Sequence, residues 1–151
     1  MNNPQHAAFY VDEGHFLLVG DARYMVQKRE TIVNIFNDTA VLLWLKRETD
    51  NCPYFLVALQ HSDTKEITLT GHLPSHGVVR ESDRSFRCNN MLYEVAGNPD
   101  VSMWNMEDGY TMAAYECSHI IGGLLLVTEI HGVLEAFDSR TSYSLDSVTF
   151  G

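Results

Sequence analysis

The chain has 151 residues, 45% of them hydrophobic, with 20 acidic against 10 basic residues and a formal charge of −10. This length predicts one domain that buries about 70% of its extended-chain surface, and the charge argues against a nucleic-acid partner. Three widely spaced cysteines, no basic apolar leader and no long apolar run predict a cytoplasmic protein with reduced thiols and no membrane insertion.

Two similar stretches recur at a constant spacing. Residues 24–26 (Tyr-Met-Val) lead to the apolar run 55–59, and residues 93–95 (Tyr-Glu-Val) lead to the apolar run 124–128. The offset is 69 residues in both cases. Repeated units bury each other's apolar faces, so we predict one domain, 1–151, whose pseudo-repeat halves are 14–70 and 90–150. A polar stretch, 71–89, is predicted to link them.

The first half alternates apolar segments, rich in β-branched and aromatic residues, with turn signals such as Gly20-Asp21 and Asp50–Pro53. This pattern predicts an all-β or β-dominated fold of antiparallel meanders. The run 40–46 could also form a short helix capped by Thr39, but we favour a strand. The predicted strands of this half are 15–19, 23–26, 31–36, 40–46, 54–59 and 66–70.

The second half contains the clearest hairpin signal, because Asp108-Gly109 supplies the positive φ of a tight turn. Gly122-Gly123 and His131-Gly132 then separate further short strands, and residues 138–141 are predicted to end one of them. The sheet would remove its edges by closing like a barrel or by packing as two sheets. The predicted strands are 101–104, 110–115, 124–130, 133–137, 142–145 and 148–150.

Several short motifs extend over nearly the whole chain: Gly20-Asp21 with Tyr24-x-Val26, Trp44, three tyrosines (Tyr93, Tyr110, Tyr115), residues 126–129 leading into 135–137, and Ser144-Leu145. In these motifs the chain resembles an uncharacterised bacterial family of unknown function, encoded beside or fused to spermidine-synthase-like proteins and membrane-stress genes. That family would have Glu-Tyr soon after the tryptophan, where this chain has Leu45-Lys46-Arg47-Glu48. The resemblance implies a β-rich accessory domain with no established catalytic residues.

Three groups of residues are candidates for chemistry. His72 and His76 are four residues apart, but Pro74 prevents the helix that would align them, so we predict a solvated loop, no metal and no cofactor. Cys117 and His119 would share a strand face, as a reactive thiolate requires, yet a buried cysteine is the favoured interpretation. Glu129 and Glu135 could pair as acid and base. Each is also expected on the solvent-facing side of a strand that alternates polar and apolar residues.

The aromatic residues, among them Trp44, Trp104 and Tyr115, either fill a core or form a binding face. We predict a non-catalytic cytoplasmic accessory or protein-interaction module with a protein partner and, through an edge strand, a possible homodimer. The first alternative is a small-molecule binder or enzyme with its pocket between the two β units, and the second is an acidic inhibitor of a nucleic-acid-binding enzyme. The candidate ligand- or partner-binding residues are Trp44, Trp104, Tyr115, Cys117, His119 and Glu129.

Overall fold

The computed structural model describes residues 6–34, 38–59, 66–73, 77–95, 101–119 and 124–151. The all-β, antiparallel prediction is confirmed, because strands account for 70% of the structure and helix for 7%. No helix in the described ranges has the length and apolar character of a membrane span. The elements are α1 (Ala7–Tyr10), β1 (Phe16–Val19), β2 (Ala22–Val33), β3 (Thr39–Arg47), β4 (Pro53–Leu59), β5 (Glu66–Leu73), β6 (Val78–Ser82), β7 (Ser85–Cys88), β8 (Met91–Val95), β9 (Val101–Met106), β10 (Thr111–Ser118), β11 (Leu124–Ile130), β12 (Val133–Ser144), a 3-10 turn (Leu145–Ser147) and β13 (Val148–Phe150).

The chain forms two compact units, one made of residues 1–70 with 140–151 and the other of residues 71–139. In the first unit the strands follow the order β13-β1-β2-β3-β4-β5. The β1–β13, β1–β2, β2–β3 and β3–β4 pairs are antiparallel. Residues 40–46 are part of strand β3, as favoured from the sequence. Both faces of this strand are covered from Ala40 to Leu45, which explains why its sequence lacks polar alternation.

The β1–β2 turn requires glycine for two reasons. Gly20 has a φ of +58°, a conformation in which a side chain is strained. A Cβ atom there would also lie 3.1 Å from Cε1 of Tyr143. The predicted Gly20-Asp21 turn therefore also provides the close approach that lets the Tyr143 ring pack against the first unit's core.

In the second unit the strands follow the order β12-β11-β10-β8-β7-β6. One edge of strand β10 has two partner strands. Its first part pairs with β9, and its last two residues pair with β8. One buried cluster of this unit lies on one face of the meander, with partly buried Tyr93, Tyr115 and Leu134 packed against it. This cluster consists of Val78, Phe86, Cys88, Val95, Cys117, Leu125, Val127 and Ala136.

The stretch predicted as a polar linker, 71–89, contains the β6–β7 hairpin. Phe86 and Cys88 alternate with exposed residues and are buried, as period-two packing requires. Ser82 and Ser85 flank the turn, and their hydroxyl oxygens are 2.7 Å apart. Ser82, Asp83 and Ser85 thus mark the turn of a hairpin that covers the core.

Two predicted strand breaks are corrected. Strand β12 runs unbroken over Val133–Ser144, although residues 138–141 were predicted to end it. Strand β2 likewise continues to Val33, so the predicted separate strand 31–36 is its final part, while residues 35–37 lie outside the described ranges. A polar stretch such as Thr141-Ser142 does not end a strand whose side chains there are exposed.

The similar segments occupy corresponding places in the two units. Residues 24–26 lie in β2 and 55–59 in β4, and both of these strands are neighbours of β3. Residues 93–95 lie in β8 and 124–128 in β11, which are both neighbours of β10. In each unit the two segments therefore flank one strand, and the duplication itself stays a prediction.

Candidate functional site

Two hairpin turns of the second unit lie side by side. One turn connects β9 to β10, and the other connects β11 to β12. In the β10–β11 register Ala113 is opposite Glu129, which brings the turn carrying Tyr110 beside the turn carrying His131. The two rings are in edge contact, with centroids 3.8 Å apart and planes at 70°.

Local hydrogen bonds fix the first turn. Gly109 has a φ of +89°, as the sequence predicted for a tight turn. The backbone N–H of Tyr110 donates to Oδ1 of Asp108 at 3.1 Å, and the Tyr110 carbonyl accepts from the Met106 N–H at 2.8 Å. The tyrosine is thereby held in place before any partner binds, which lowers the entropy cost of association.

These turns expose apolar side chains beside acidic ones. Tyr110 and Val133 are each 53% exposed, and Glu107, Asp108 and His131 are exposed as well. We call these five residues the hairpin-tip surface. Exposed tyrosines are enriched among the residues that contribute most to protein interfaces, so this surface has the composition of a protein contact.

The charge of the second unit adds to this character. Residues 71–139 contain ten acidic and three basic residues, a formal charge of −7. Arg80 contacts Glu129 at 3.0 Å, and Arg87 contacts Glu81 at 2.6 Å. The surface potential of this unit therefore favours a positively charged partner.

Two predicted site residues, Tyr115 and Glu129, meet around Arg80, which no sequence motif marks. Arg80 on β6 donates to Oε1 of Glu129 at 3.0 Å and to the Tyr115 hydroxyl at 3.4 Å. Its guanidinium lies 4.9 Å from the Phe86 ring centroid and 5.4 Å from that of Tyr115. This group joins the edge hairpin to the meander by cation–π and ionic contacts.

The two candidate carboxylates do not form an acid–base pair. In the β11–β12 register Glu129 is opposite Leu134, whereas Glu135 is opposite Thr128. Residues directly opposite each other share a face, and successive residues alternate faces. Glu129 and Glu135 therefore point to opposite sides of the sheet.

Cys117 lies inside the core, as the favoured interpretation predicted. Its side chain is buried, and its Sγ is 3.7 Å from the Tyr115 carbonyl oxygen, to which the thiol donates. Burial, with a smaller effect from the charge of Glu116, raises the pKa of this thiol to about 11. The thiolate that nucleophilic chemistry needs is thus disfavoured at neutral pH.

The two tryptophans belong to different units. Trp44 on β3 is buried, its ring is 5.0 Å from that of Phe55, and Nζ of Lys28 lies 4.7 Å from it. Trp104 on β9 is partly buried and is opposite Met112 on β10. Trp44 therefore has the environment of a core residue and is no part of the hairpin-tip surface.

His119 lies in a second candidate place, a cavity of about 290 Å³ lined by Leu92, Glu94, Ser118 and His119. Its ring is 5.6 Å from that of Tyr93, at 59°. The sequence singled out His119 for its nearness to Cys117, whereas the cavity places it beside Glu94.

Within the described ranges no three side chains of the metal-binding types come together, while His76 lies outside those ranges. No family model, curated protein or solved structure matches the chain.

Proposed function

We propose that the protein is a non-catalytic accessory module of the cytoplasm that binds a partner protein through the hairpin-tip surface. The main observation that supports this proposal is the contact between Tyr110 and His131. Their ring centroids are 3.8 Å apart, while Tyr110 remains 53% exposed. A preorganised, half-exposed tyrosine is suited to enter a pocket on a partner. Three free thiols, at Cys52, Cys88 and Cys117, support a reducing compartment.

The partner that fits this surface is a basic protein segment with an apolar residue. Glu107 and Asp108 would attract lysine or arginine side chains, and Tyr110 with Val133 would contact the apolar residue. A second copy of this chain fits less well, because a symmetric contact would bring these carboxylates together with their copies, and like charges oppose association. An inhibitor of a basic enzyme would use the same charge complementarity.

Affinity capture from extracts of the cells that make the protein tests this proposal. The bait carries either the wild-type sequence, the double reversal Glu107→Lys with Asp108→Lys, or the control reversal Glu48→Lys with Asp21→Lys in the first unit. We expect a basic protein to bind the wild type and the control but not the tip variant. Identical captured proteins for all three baits would contradict the proposal.

The captured protein is then titrated with purified variants. Tyr110→Ala should weaken binding about 30-fold, since a central aromatic contact contributes on the order of 2 kcal/mol. Raising the salt concentration should slow association, because complementary charges act mainly on the encounter rate. Unchanged affinity for Tyr110→Ala would show that the hairpin-tip surface is not the interface.

A further inference from the structure

The cavity that contains His119 lies at the end of β10 remote from the hairpin tips. Strand β10 covers eight residues, Thr111–Ser118, and an extended strand rises about 3.3 Å per residue. The cavity is thus roughly 25 Å from the Tyr110 turn. Its volume of about 290 Å³ is just below the range of small-molecule sites, about 300 to 1,000 Å³, which suits a small ligand.

The sheet register assembles the polar side of this cavity. Glu94 on β8 is directly opposite Ser118 on β10, so the carboxylate and the hydroxyl project from the same face. Leu92 is two residues before Glu94 and shares that face, where it is 39% exposed. The cavity therefore offers a carboxylate and a hydroxyl next to an apolar wall.

His119 also lines the cavity. It follows directly after β10 and is in ring contact with Tyr93. Tyr93 is itself packed against the core of the second unit. Tyr93 and Glu94 are successive residues of β8 and project from opposite faces, so the His119 ring packs on the Tyr93 side, next to the cavity.

The charges point to the ligand class. Among the lining residues in the described ranges, Glu94 is the charged one and none is lysine or arginine, in a unit whose formal charge is −7. An anionic ligand would therefore meet an unfavourable potential, whereas a cation would be attracted. We infer that the cavity binds a small organic cation, an ammonium or guanidinium group on a short apolar chain. The charged group is bound by the Glu94 carboxylate and the Ser118 hydroxyl, and the chain packs on Leu92.

Titration of the full chain, followed by NMR, tests this inference with three probes of similar shape. Isopentylammonium is the cation, isopentanol is the neutral control and 4-methylpentanoate is the anion. We expect saturable shifts of the Leu92 methyl and His119 ring signals with a dissociation constant of about 1 mM for the ammonium. Both controls should bind at least about tenfold more weakly. Equal affinities for the three probes would overturn the inference.

Two matched variants identify the carboxylate that binds the ammonium group. Glu94→Gln should weaken ammonium binding about tenfold, whereas Glu107→Gln, an equal charge change at the hairpin tip, should leave it unchanged. Equal effects of the two variants would mean that only the overall charge attracts the probe and would refute a site at Glu94. The titrations use the full chain without a partner protein. Their outcome therefore does not depend on whether the hairpin-tip surface, which contains Glu107, binds a partner.

Discussion

Arg80 and Glu129 are 49 residues apart in the chain and form an ion pair of 3.0 Å within the second unit. One is on the strand at the end of the sheet order, and the other is on the central meander. Their side chains are 32% and 30% exposed, so the pair is only partly screened by solvent. This pair fastens the β6–β7 hairpin over the core that contains Phe86.

The strength of this pair can be measured with a double-mutant cycle. We expect Arg80→Met and Glu129→Met to show a coupling energy of about 1 kcal/mol in denaturant unfolding, because the pair combines a charge-assisted hydrogen bond with partial burial. The cycle cancels the separate packing changes of the two methionines.

The control cycle uses Arg23 and Glu48, which form a similar ion pair of 2.9 Å in the first unit with side chains 39% and 50% exposed. Its coupling should be only about 0.3 kcal/mol. Equal coupling energies in the two cycles would mean that partial burial does not strengthen the Arg80–Glu129 pair relative to the Arg23–Glu48 pair. The proposed role of the Arg80 pair in holding the hairpin would then be rejected.

A substitution at Phe86 tests the hairpin that lies within the predicted linker stretch. Phe86 is fully buried, so Phe86→Ala should lower the free energy of unfolding by about 3 to 5 kcal/mol through lost burial and a cavity. Val79→Ala changes an exposed residue on the neighbouring strand and should cost less than about 0.5 kcal/mol. A cost for Phe86→Ala as small as that for Val79→Ala would fit a solvated linker.

The fold class could be predicted from the sequence because each turn and each strand is marked by residues that are close together in the chain. Gly20 and Gly109 mark turns by the backbone conformation that they permit, and the run of apolar residues in β3 marks a strand buried on both faces. The β6–β7 hairpin was missed because only two core residues, Phe86 and Cys88, lie among polar neighbours.

The hairpin-tip surface could not be predicted, because it depends on the register between strands. The Asp108-Gly109 and His131-Gly132 turns were each predicted, yet their adjacency follows only from the pairing of Ala113 with Glu129. The Arg80 group depends on a contact over 49 residues, and no spacing in the sequence encodes it. Tyr115 and Glu129 are candidates by residue type alone, and the arginine between them has no local signal.

The turn at Gly20 should be more sensitive than other turns. In Gly20→Ala the new methyl group meets the Tyr143 ring at 3.1 Å in a left-handed backbone conformation. In Gly109→Ala the φ is also positive, but no atom lies within 4 Å. We expect a cost of about 1 to 2 kcal/mol for Gly109→Ala and more for Gly20→Ala in thermal or denaturant unfolding. Equal costs would show that the Tyr143 ring yields without penalty.

Cys117 should make stability depend on pH in the alkaline range. The pKa of its thiol is raised from 9.0 to about 11 in the folded protein, mainly by burial. Between these values the unfolded chain has lost the thiol proton while the folded chain retains it. The folded state then binds more protons, so the free energy of unfolding falls as pH rises from 9 to 11. Below pH 9 the stabilising contribution of the protonated thiol is retained. Burial also raises the pKa of Cys88 and Tyr24, which act in the same direction.

Comparing wild type with Cys117→Ala separates this contribution from those of the other groups. The variant loses packing by an amount that does not vary with pH, whereas the wild type should lose on the order of 2 kcal/mol more between pH 9 and pH 11. Urea unfolding at intervals across this range measures the difference. Parallel curves for the two proteins would mean that the folded thiol ionises as readily as the unfolded one. Iodoacetamide at pH 8 provides a second readout, because partly exposed Cys52 should react well before buried Cys117.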